Sequence, residues 1–267
     1  MKYFVFSDVH GFYSVFRKEL RKKGFDPKNE EHILISLGDN YDRGKENYKM
    51  FKFLRKMWKK KRIILIKGNH EDLFMDMMQR GYPISIDYSN KTYNTLVQFY
   101  RQYFNVVDEE DEPKDWNELY QLMKKDKFFD IIYDMKDYYE TDKYVFTHGF
   151  IPIDGEYSYY YNENCSYKED WRDSTSRQFK DARWYNGIEL SMKYNIGVPN
   201  KKIIVGHYHA SYGNVRKEMG MNHHPSEFKK YEFSNFDFFK PYEDNNIIAI
   251  DSCVAFTNKI NILVLDD

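Results

Sequence analysis

The sequence predicts an α/β fold, and two patterns in residues 1–80 carry that prediction. Short apolar runs alternate with longer stretches in which apolar residues recur at helical spacing. A repeated order of strand, loop and helix favours a sheet whose strands are at least partly parallel. Each apolar run is also followed by polar or charged residues, and ligands of such sheets bind beyond the carboxyl ends of the strands.

The first part of the chain contains three predicted strands and three predicted helices. The strands are expected at residues 2–7, 32–37 and 62–67. The helices are expected at residues 12–24, at 47–61 and from 71 onwards. The first helix closes with Lys22, Lys23 and Gly24, which are residue types that commonly end a helix.

Residues 81–142 depart from this pattern, and we interpret them as a helical insertion or cap with helices at 94–104 and 116–125. Three further elements follow: strands at 143–149 and 201–209, and a partly helical stretch at 177–187. The last apolar runs, 245–256 and 259–267, predict a terminal antiparallel strand pair that turns at Thr257 and Asn258. Since neither a repeat nor a linker composition interrupts the chain, the sequence predicts one domain over residues 1–267.

Composition and charge limit the classes of function. The chain has 267 residues, with 41 Lys and Arg against 42 Asp and Glu, so bulk charge does not indicate nucleic-acid binding. Its two cysteines, Cys165 and Cys253, are far apart in sequence, and a reducing compartment fits this usage. No apolar run approaches the ~20 residues of a membrane span. We therefore expect a cytoplasmic protein without a membrane partner.

The stretch ILISLGDNYDRG, residues 33–44, raises the main question about function. An apolar strand stops at Gly38, and Asp39, Asp42 and Arg43 follow directly. Like charges are costly to bury side by side unless something compensates them. These residues therefore either cap a turn or bind a cation.

Similar polar groups follow four other predicted strands. The residues at the five strand ends, taken together, are Asp8 and His10; Asp39, Asp42 and Arg43; Asn69, His70 and Glu71; His148; His207 and His209. Carboxylates, imidazoles and an amide suit Mn, Fe, Zn or Mg, and the lack of cysteine argues against a structural zinc site. Two adjacent cations would explain the buried carboxylates, and two-metal sites stabilise both oxygens of an in-line phosphoryl displacement.

Five of these segments resemble the sequence blocks of calcineurin-like metallophosphoesterases. The similarity is greatest to the phosphoprotein phosphatase (PPP) branch, which includes bacterial serine/threonine phosphatases and diadenosine tetraphosphatases. The blocks are SDVHG (7–11), GDNYDRG (38–44), GNHE (68–71), THG (147–149) and VGHYH (205–209). The resemblance implies a sandwich of two mixed β-sheets flanked by helices, and the closing IIAIDSCVAFTNKINILVLDD resembles the family's terminal strands.

The resemblance also implies which residues bind metal. The implied ligands are Asp8, His10, Asp39, Asn69, His148 and His207, with Asp39 shared by two ions. His209 is implied as a further ligand, because GHxH is the form of the last block in the wider superfamily. Two divalent ions are expected, with Mn²⁺ first and Fe, Zn, Ni or Mg as alternatives.

The remaining implied roles concern the substrate. His70 would be the general acid, Asp42 would orient it, and Arg43 and Asn69 would bind phosphate. The family's second phosphate-binding arginine has no firm motif here; Arg183 is the first choice, with Arg172 and Arg177 as alternatives. Three departures, Ser7 for Gly in the first block, Gly-Phe after His148 and GHYH in the last block, weaken the case for a phosphoprotein substrate.

The implied activity is hydrolysis of phosphomonoesters by a hydroxide that bridges two metal ions. Phosphorylated small molecules, nucleotides and phosphoserine or phosphothreonine proteins are the candidate substrates. One alternative is a hydrolase of dinucleoside polyphosphates or nucleotide ends, a nucleotide pyrophosphohydrolase. In that case the helical insertion and the aromatic stretch 156–164, with Tyr159 and Tyr160, would hold a base. Another alternative is a binding module that has lost the chemistry, against which the intact set of His70, Asp42 and Arg43 argues.

Overall fold

Two mixed β-sheets pack face to face in the computed structural model, which describes residues 1–106, 112–113, 115–157, 162–221 and 223–266. The strands are β1 (Lys2–Phe6), β2 (His32–Ser36), β3 (Ile63–Leu65), β4 (Tyr138–Glu140), β5 (Tyr144–Thr147), β6 (Ile153–Tyr157), β7 (Asn162–Tyr167), β8 (Lys202–His209), β9 (Tyr242–Glu243), β10 (Ile247–Asp251) and β11 (Leu263–Asp266). The helices are α1 (Tyr13–Lys22), α2 (Asn47–Lys59), α3 (Asn69–Arg80), α4 (Ser85–Ser89), α5 (Thr92–Phe104), α6 (Trp116–Lys125), α7 (Phe128–Tyr133), α8 (Ser176–Ala182), α9 (Gly187–Tyr194), α10 (Ser211–Met219), α11 (Pro225–Glu232) and α12 (Val254–Thr257).

The strand order brings the carboxyl ends of several parallel strands to one edge of each sheet. The first sheet has the order β11-β1-β2-β3, in which β1, β2 and β3 are parallel and β11 is antiparallel to β1. The second has the order β4-β5-β8-β10-β9, in which β5, β8 and β10 are parallel and the two edge strands are antiparallel. Strands β6 and β7 form a separate hairpin. The predicted sandwich of mixed sheets is therefore confirmed.

Alternation along the strands explains the layered core. Val5 in β1 and Ile204 in β8 are fully buried between the two sheets. Phe4 and Phe6, the neighbours of Val5, point to the opposite face and pack under the helices of the first sheet, with Phe16 of α1 among their cluster. Side chains of a strand alternate between its two faces, so a strand that is apolar at every position needs cover on both sides.

In the described residues of 81–142, where the sequence predicts a helical insertion, the structure has four helices, α4 to α7. The expected helices at 94–104 and 116–125 are present as α5 and α6. Leu96 and Phe99 of α5 are fully buried in the same cluster as the core of the first sheet. Helix α5 therefore packs as part of the core and does not stand apart from it.

The prediction of a terminal strand pair is wrong. Strand β10 lies in the second sheet between β8 and β9, whereas β11 lies in the first sheet against β1. Between them the chain leaves β10 at Asp251, forms α12 and crosses from one sheet to the other. Thr257 stabilises this connection, because its hydroxyl donates to the carbonyl oxygen of Ser252 at 2.9 Å. The apolar runs identified both strands but carried no information about their partners.

Within the described ranges, none of the helices is long and apolar enough to cross a lipid bilayer.

Candidate active site

The loops after β1 and β2 hold five functional candidates in an unusual backbone conformation. Asp8, His10, Asp39, Asp42 and Arg43 all have positive φ angles, between 46° and 74°. Non-glycine residues adopt this left-handed region uncommonly, and such residues cluster at functional sites where the surroundings enforce the conformation. The folded chain thus stabilises these turns against their local cost.

Two groups of potential metal ligands share the carboxylate of Asp39. In the first, the Nε2 atoms of His10 and His70 lie 3.7 and 3.8 Å from its Oδ2. In the second, Nε2 of His148 lies 3.3 Å from its Oδ1, and His207 completes the group. Within each group the ligand atoms lie within 4.8 Å of one another. Asp39 thus lies between two sets of imidazoles, where one carboxylate could bind two metal ions at once.

Asp8 and Asn69 border these groups. Oδ1 of Asp8 lies 3.9 Å from Nε2 of His10, and its Oδ2 accepts the backbone N–H of His207 at 3.0 Å. Oδ1 of Asn69 lies 2.9 Å from Nε2 of His148. Both side chains are buried. The structure therefore brings together six of the seven residues that the resemblance implied as metal ligands.

Backbone carbonyls orient three of the imidazoles. Nδ1 of His10 lies 2.9 Å from the carbonyl oxygen of Tyr41, and Nδ1 of His148 lies 2.6 Å from that of Leu37. Each ring can therefore donate its Nδ1–H and present Nε2 to the site. His207 uses the opposite nitrogen, because its Nε2 lies 3.2 Å from the carbonyl oxygen of Trp184. Fixing the second nitrogen in this way is the usual support of a metal-binding histidine.

The electrostatics of the site fit a cationic occupant. Burial, followed by the neighbouring carboxylate of Asp251, raises the pKa of Asp8 to about 8. Burial lowers the pKa of His148, but the Asp39 carboxylate outweighs burial and the pKa rises to about 9. Burial and the proximity of His148 lower the pKa of His207 to about 3. Buried carboxylates of this kind, joined by imidazoles and an amide, suit hard or borderline divalent metals.

His70, a member of the first ligand group, also contacts Asp42 and Arg43. Nδ1 of His70 lies 2.6 Å from Oδ2 of Asp42, and Nη2 of Arg43 lies 3.2 Å from Nε2 of His70. Burial lowers the pKa of His70, but Asp39 and Asp42 outweigh burial, so the pKa is raised. The dyad is buried whereas Arg43 is exposed, so the guanidinium can reach a solvent-borne ligand.

The carboxylate of Glu71 accepts hydrogen bonds from two segments of the chain. Its Oε2 accepts the backbone N–H groups of Asp39 and Gly68, each at 2.9 Å. Its Oε1 accepts the backbone N–H of Asn40 at 2.9 Å and the side-chain N–H of the same residue at 3.1 Å. One fully buried carboxylate thus ties the loop after β2 to the start of α3.

The structure does not bring His209 into either ligand group of the described residues. Its Nδ1 lies 3.6 Å from Oε1 of Glu232, and its Nε2 lies 3.8 Å from Oδ2 of Asp251. Sequence reasoning missed Asp251, although the residue carries the same signal as the others. It is a carboxylate at the end of an apolar parallel strand next to β8.

The arginines considered for the second phosphate contact have other surroundings. The guanidinium of Arg183 is buried and pairs with Asp137 and, at 2.5 Å, with Oδ2 of Asp72. Arg172 donates to both carboxylate oxygens of Glu140, and Arg177 is exposed on α8. Two carboxylates neutralise Arg183 in this structure, whereas Arg43 is exposed beside His70.

A cavity of about 740 Å³ adjoins the second ligand group. Its aromatic lining consists of Tyr157, Trp184, Tyr185, Tyr208 and Tyr212. The ligand-group residue His207 also lines it, together with the carboxylates of Asp181 and Glu232. Tyr159 and Tyr160, which we considered as base-stacking residues, lie outside the residues that the structure describes.

The protein is an α/β sandwich with two groups of potential metal ligands near the ends of its parallel strands. The chain belongs to the calcineurin-like phosphoesterase family, whose model matches residues 1–248. The resemblance read from the five sequence blocks is therefore confirmed.

Individual relatives match over shorter segments. Serine/threonine-protein phosphatase 2 of Salmonella typhimurium is 39% identical over 75 residues, which cover 28% of this chain and 32% of that protein. Bis(5'-nucleosyl)-tetraphosphatase PrpE of Bacillus velezensis is 26% identical over 98 residues, which cover 34% and 39%. The chain thus spans only about a third of the length of these curated relatives in the matched segments.

Two solved structures show the same fold over almost the whole chain. A cold-active protein-tyrosine phosphatase of a psychrophile, Shewanella sp., has a TM-score of 0.54 and 17% identity, with coverage of 100% of this chain and 75% of that one. A putative diadenosine tetraphosphatase has a TM-score of 0.50 and 10% identity, with coverage of 99% and 89%. At these identities the similarity establishes the fold alone.

Proposed function

We propose that this protein is a metal-dependent hydrolase of phosphomonoesters. One observation carries the proposal: His70, which belongs to one of the two ligand groups that share Asp39, pairs with the buried Asp42 and lies beside the exposed Arg43. A protein that only binds metal has no use for a proton donor with its own orienting carboxylate. The family membership and the phosphatase names among the relatives support the same class of reaction.

The residues present fit two divalent ions. Asp8, His10 and Asp39 would hold one, and Asp39, Asn69, His148 and His207 would hold the other, with His209 as the further predicted ligand. Bound there, divalent ions supply charge stabilisation and make water an effective nucleophile at neutral pH. We propose Mn²⁺ as the first metal to test.

The chain's own residues bind and protonate the substrate in this proposal. The guanidinium of Arg43 offers two parallel N–H donors to the oxygens of a phosphate. Because Arg43 lies 3.2 Å from Nε2 of His70, a phosphate bound by Arg43 brings its ester oxygen near that imidazole. His70 then donates a proton from Nε2 to the leaving oxygen, and Asp42 at 2.6 Å from Nδ1 stabilises the imidazolium and holds the ring in place.

Phosphate release with added Mn²⁺ tests the proposal. Wild type and His70→Asn are compared on an alkyl monoester, an aryl monoester, an aryl diester and a phosphothreonine peptide. Loss of a general acid lowers turnover by roughly 10²–10⁴-fold, with the greatest loss for the worst leaving group. His223→Asn is the matched control, since His223 is exposed and pairs with Glu227. Absence of turnover by a wild type that binds two metals would overturn the proposal and favour a binding module.

A second candidate, hydrolysis of dinucleoside polyphosphates, is favoured by the aromatic cavity beside His207. Trp184 lines it with 41% of its surface exposed, and its ring lies edge-on to the His207 imidazole at 5.9 Å between centroids. Stacking of a base on an aromatic side chain contributes roughly 1–3 kcal/mol. Trp184→Leu should therefore raise the KM for a dinucleoside tetraphosphate by about tenfold. Tyr133→Leu, which alters an exposed ring outside the cavity lining, should not. Equal KM values in both variants would exclude this candidate.

A further inference from the structure

The carboxylate of Asp42 is held by two threonines of helix α5. Its Oδ2 accepts the hydroxyl of Thr92 at 2.8 Å, besides facing Nδ1 of His70. Its Oδ1 accepts the hydroxyl of Thr95 at 2.6 Å. The same Thr95 oxygen accepts the backbone N–H of Asp42 at 3.1 Å. Thr95 therefore binds both the backbone and the side chain of the residue that orients the proposed general acid.

These contacts lie where water cannot replace them. Asp42, Thr92 and Thr95 all have 0% of their surface exposed. A hydroxyl can only donate to an ionised carboxylate, so each threonine fixes one of its oxygens. With Oδ1 bound to Thr95, the carboxylate cannot rotate without breaking a buried hydrogen bond. Oδ2 therefore stays directed at the imidazole.

Helix geometry explains why one helix can supply both hydroxyls. Thr92 is the first residue of α5 and Thr95 follows three positions later, so the two side chains project from the same face. Gln98, one further turn along, donates to the carbonyl oxygen of Gly44 at 2.9 Å and accepts the backbone N–H of Asn47 at 3.0 Å. Three polar side chains on one face of α5 thus bind the loop that carries Asp42 at Asp42, Gly44 and Asn47.

We propose that Thr92 and Thr95 are positioning residues that couple helix α5 to proton delivery by His70. This inference rests on the proposed phosphoesterase function. It assigns the segment 81–142 a part in the chemical step, since α5 belongs to it. Loss of the Thr95 hydroxyl frees the carboxylate to rotate, and the imidazole then loses its fixed direction toward the leaving oxygen.

Leaving-group dependence tests the proposal, because general-acid catalysis matters most when the leaving oxygen is a poor one. Thr95→Val should lower kcat for an alkyl phosphate about tenfold or more and change kcat for p-nitrophenyl phosphate by less than about threefold. Thr95→Ser, which restores a hydroxyl, should return the alkyl rate to near the wild-type value. Thr257→Val is the matched control, since it removes a buried hydroxyl that donates to a backbone carbonyl in the crossing between β10 and β11.

A second readout does not depend on turnover. In the metal-free protein, the Nδ1–H of His70 in its 2.6 Å contact with Asp42 should give a downfield proton resonance that is absent in His70→Asn. Thr95→Val should shift this resonance, and Thr257→Val should leave it unchanged. Equal loss of both rates with an unshifted resonance would overturn the proposal. Failure of wild type to hydrolyse any monoester would overturn the proposed function, whereas an unshifted resonance in folded Thr95→Val would overturn the positioning role alone.

Discussion

Replacement of Glu71 by glutamine should destabilise the fold although it changes the side chain by a single group. In the described part of the chain, the partners of this carboxylate are four N–H groups, from Asp39, Gly68 and Asn40. A carboxylate accepts at both oxygens, whereas an amide has one oxygen and one NH₂ group. Whichever way the glutamine turns, its NH₂ group must face N–H donors.

The size of the effect follows from the groups left without an acceptor. A buried N–H that loses its partner costs about 1–3 kcal/mol. If the NH₂ group faces Asp39 and Gly68, two backbone N–H groups lose their acceptor. If it faces Asn40, one backbone N–H and one side-chain N–H lose theirs. Either orientation predicts a loss of at least about 2 kcal/mol, a large part of the 5–15 kcal/mol that stabilises a typical domain.

Urea unfolding in the presence of EDTA measures this loss without a contribution from bound metal. The variant should show a lower midpoint at an unchanged m value, which indicates a change in stability alone. Glu227→Gln serves as the control, because the Glu227 side chain is 59% exposed and makes one ion pair with His223. A surface change of this kind stays within about 0.5 kcal/mol. A loss below about 1 kcal/mol in Glu71→Gln would refute the reasoning.

Three further predictions concern other parts of the molecule. Glu140→Gln should lower the urea midpoint at neutral pH. The hydrogen bond from Arg172 lowers the pKa of Glu140 from 4.5 to about 2, so this stabilisation is present above pH 4.5, and the midpoints of variant and wild type should converge toward pH 2. Gly206→Ala should abolish Mn²⁺ binding measured by calorimetry, since its new methyl group would overlap the hydroxyl of Ser7 and the carboxylate of Asp8. Leu96→Ala, at a fully buried position of α5, should cost about 2–5 kcal/mol in urea unfolding.

The site was largely predictable because its residues follow apolar runs. Asp8, Asp39, Asn69 and His148 each come shortly after a strand of the sandwich, and parallel strands place their carboxyl ends together. Helix α3 nevertheless begins at Asn69, two residues before the predicted start. Asn69 and His70 are polar, so the sequence pattern could not show whether they belong to the loop before the helix or to its first turn.

Contacts between distant segments were not predictable. The ion pairs of Arg183 with Asp72 and Asp137 join residues separated by 111 and 46 positions. Thr92 and Thr95 read as ordinary polar residues of a helix, because only the folded chain brings them to Asp42. Local patterns identify elements and strand ends, whereas partners across the core follow from the topology.

The proposed activity depends most on Asp39 serving two ligand groups at once. Electron paramagnetic resonance of the protein loaded with Mn²⁺, combined with a metal count, tests this directly. We predict two Mn²⁺ ions per chain with a spin-coupled signal, and Asp39→Asn should lose the coupling. One isolated ion per chain, or a coupled pair that survives Asp39→Asn, would contradict the account.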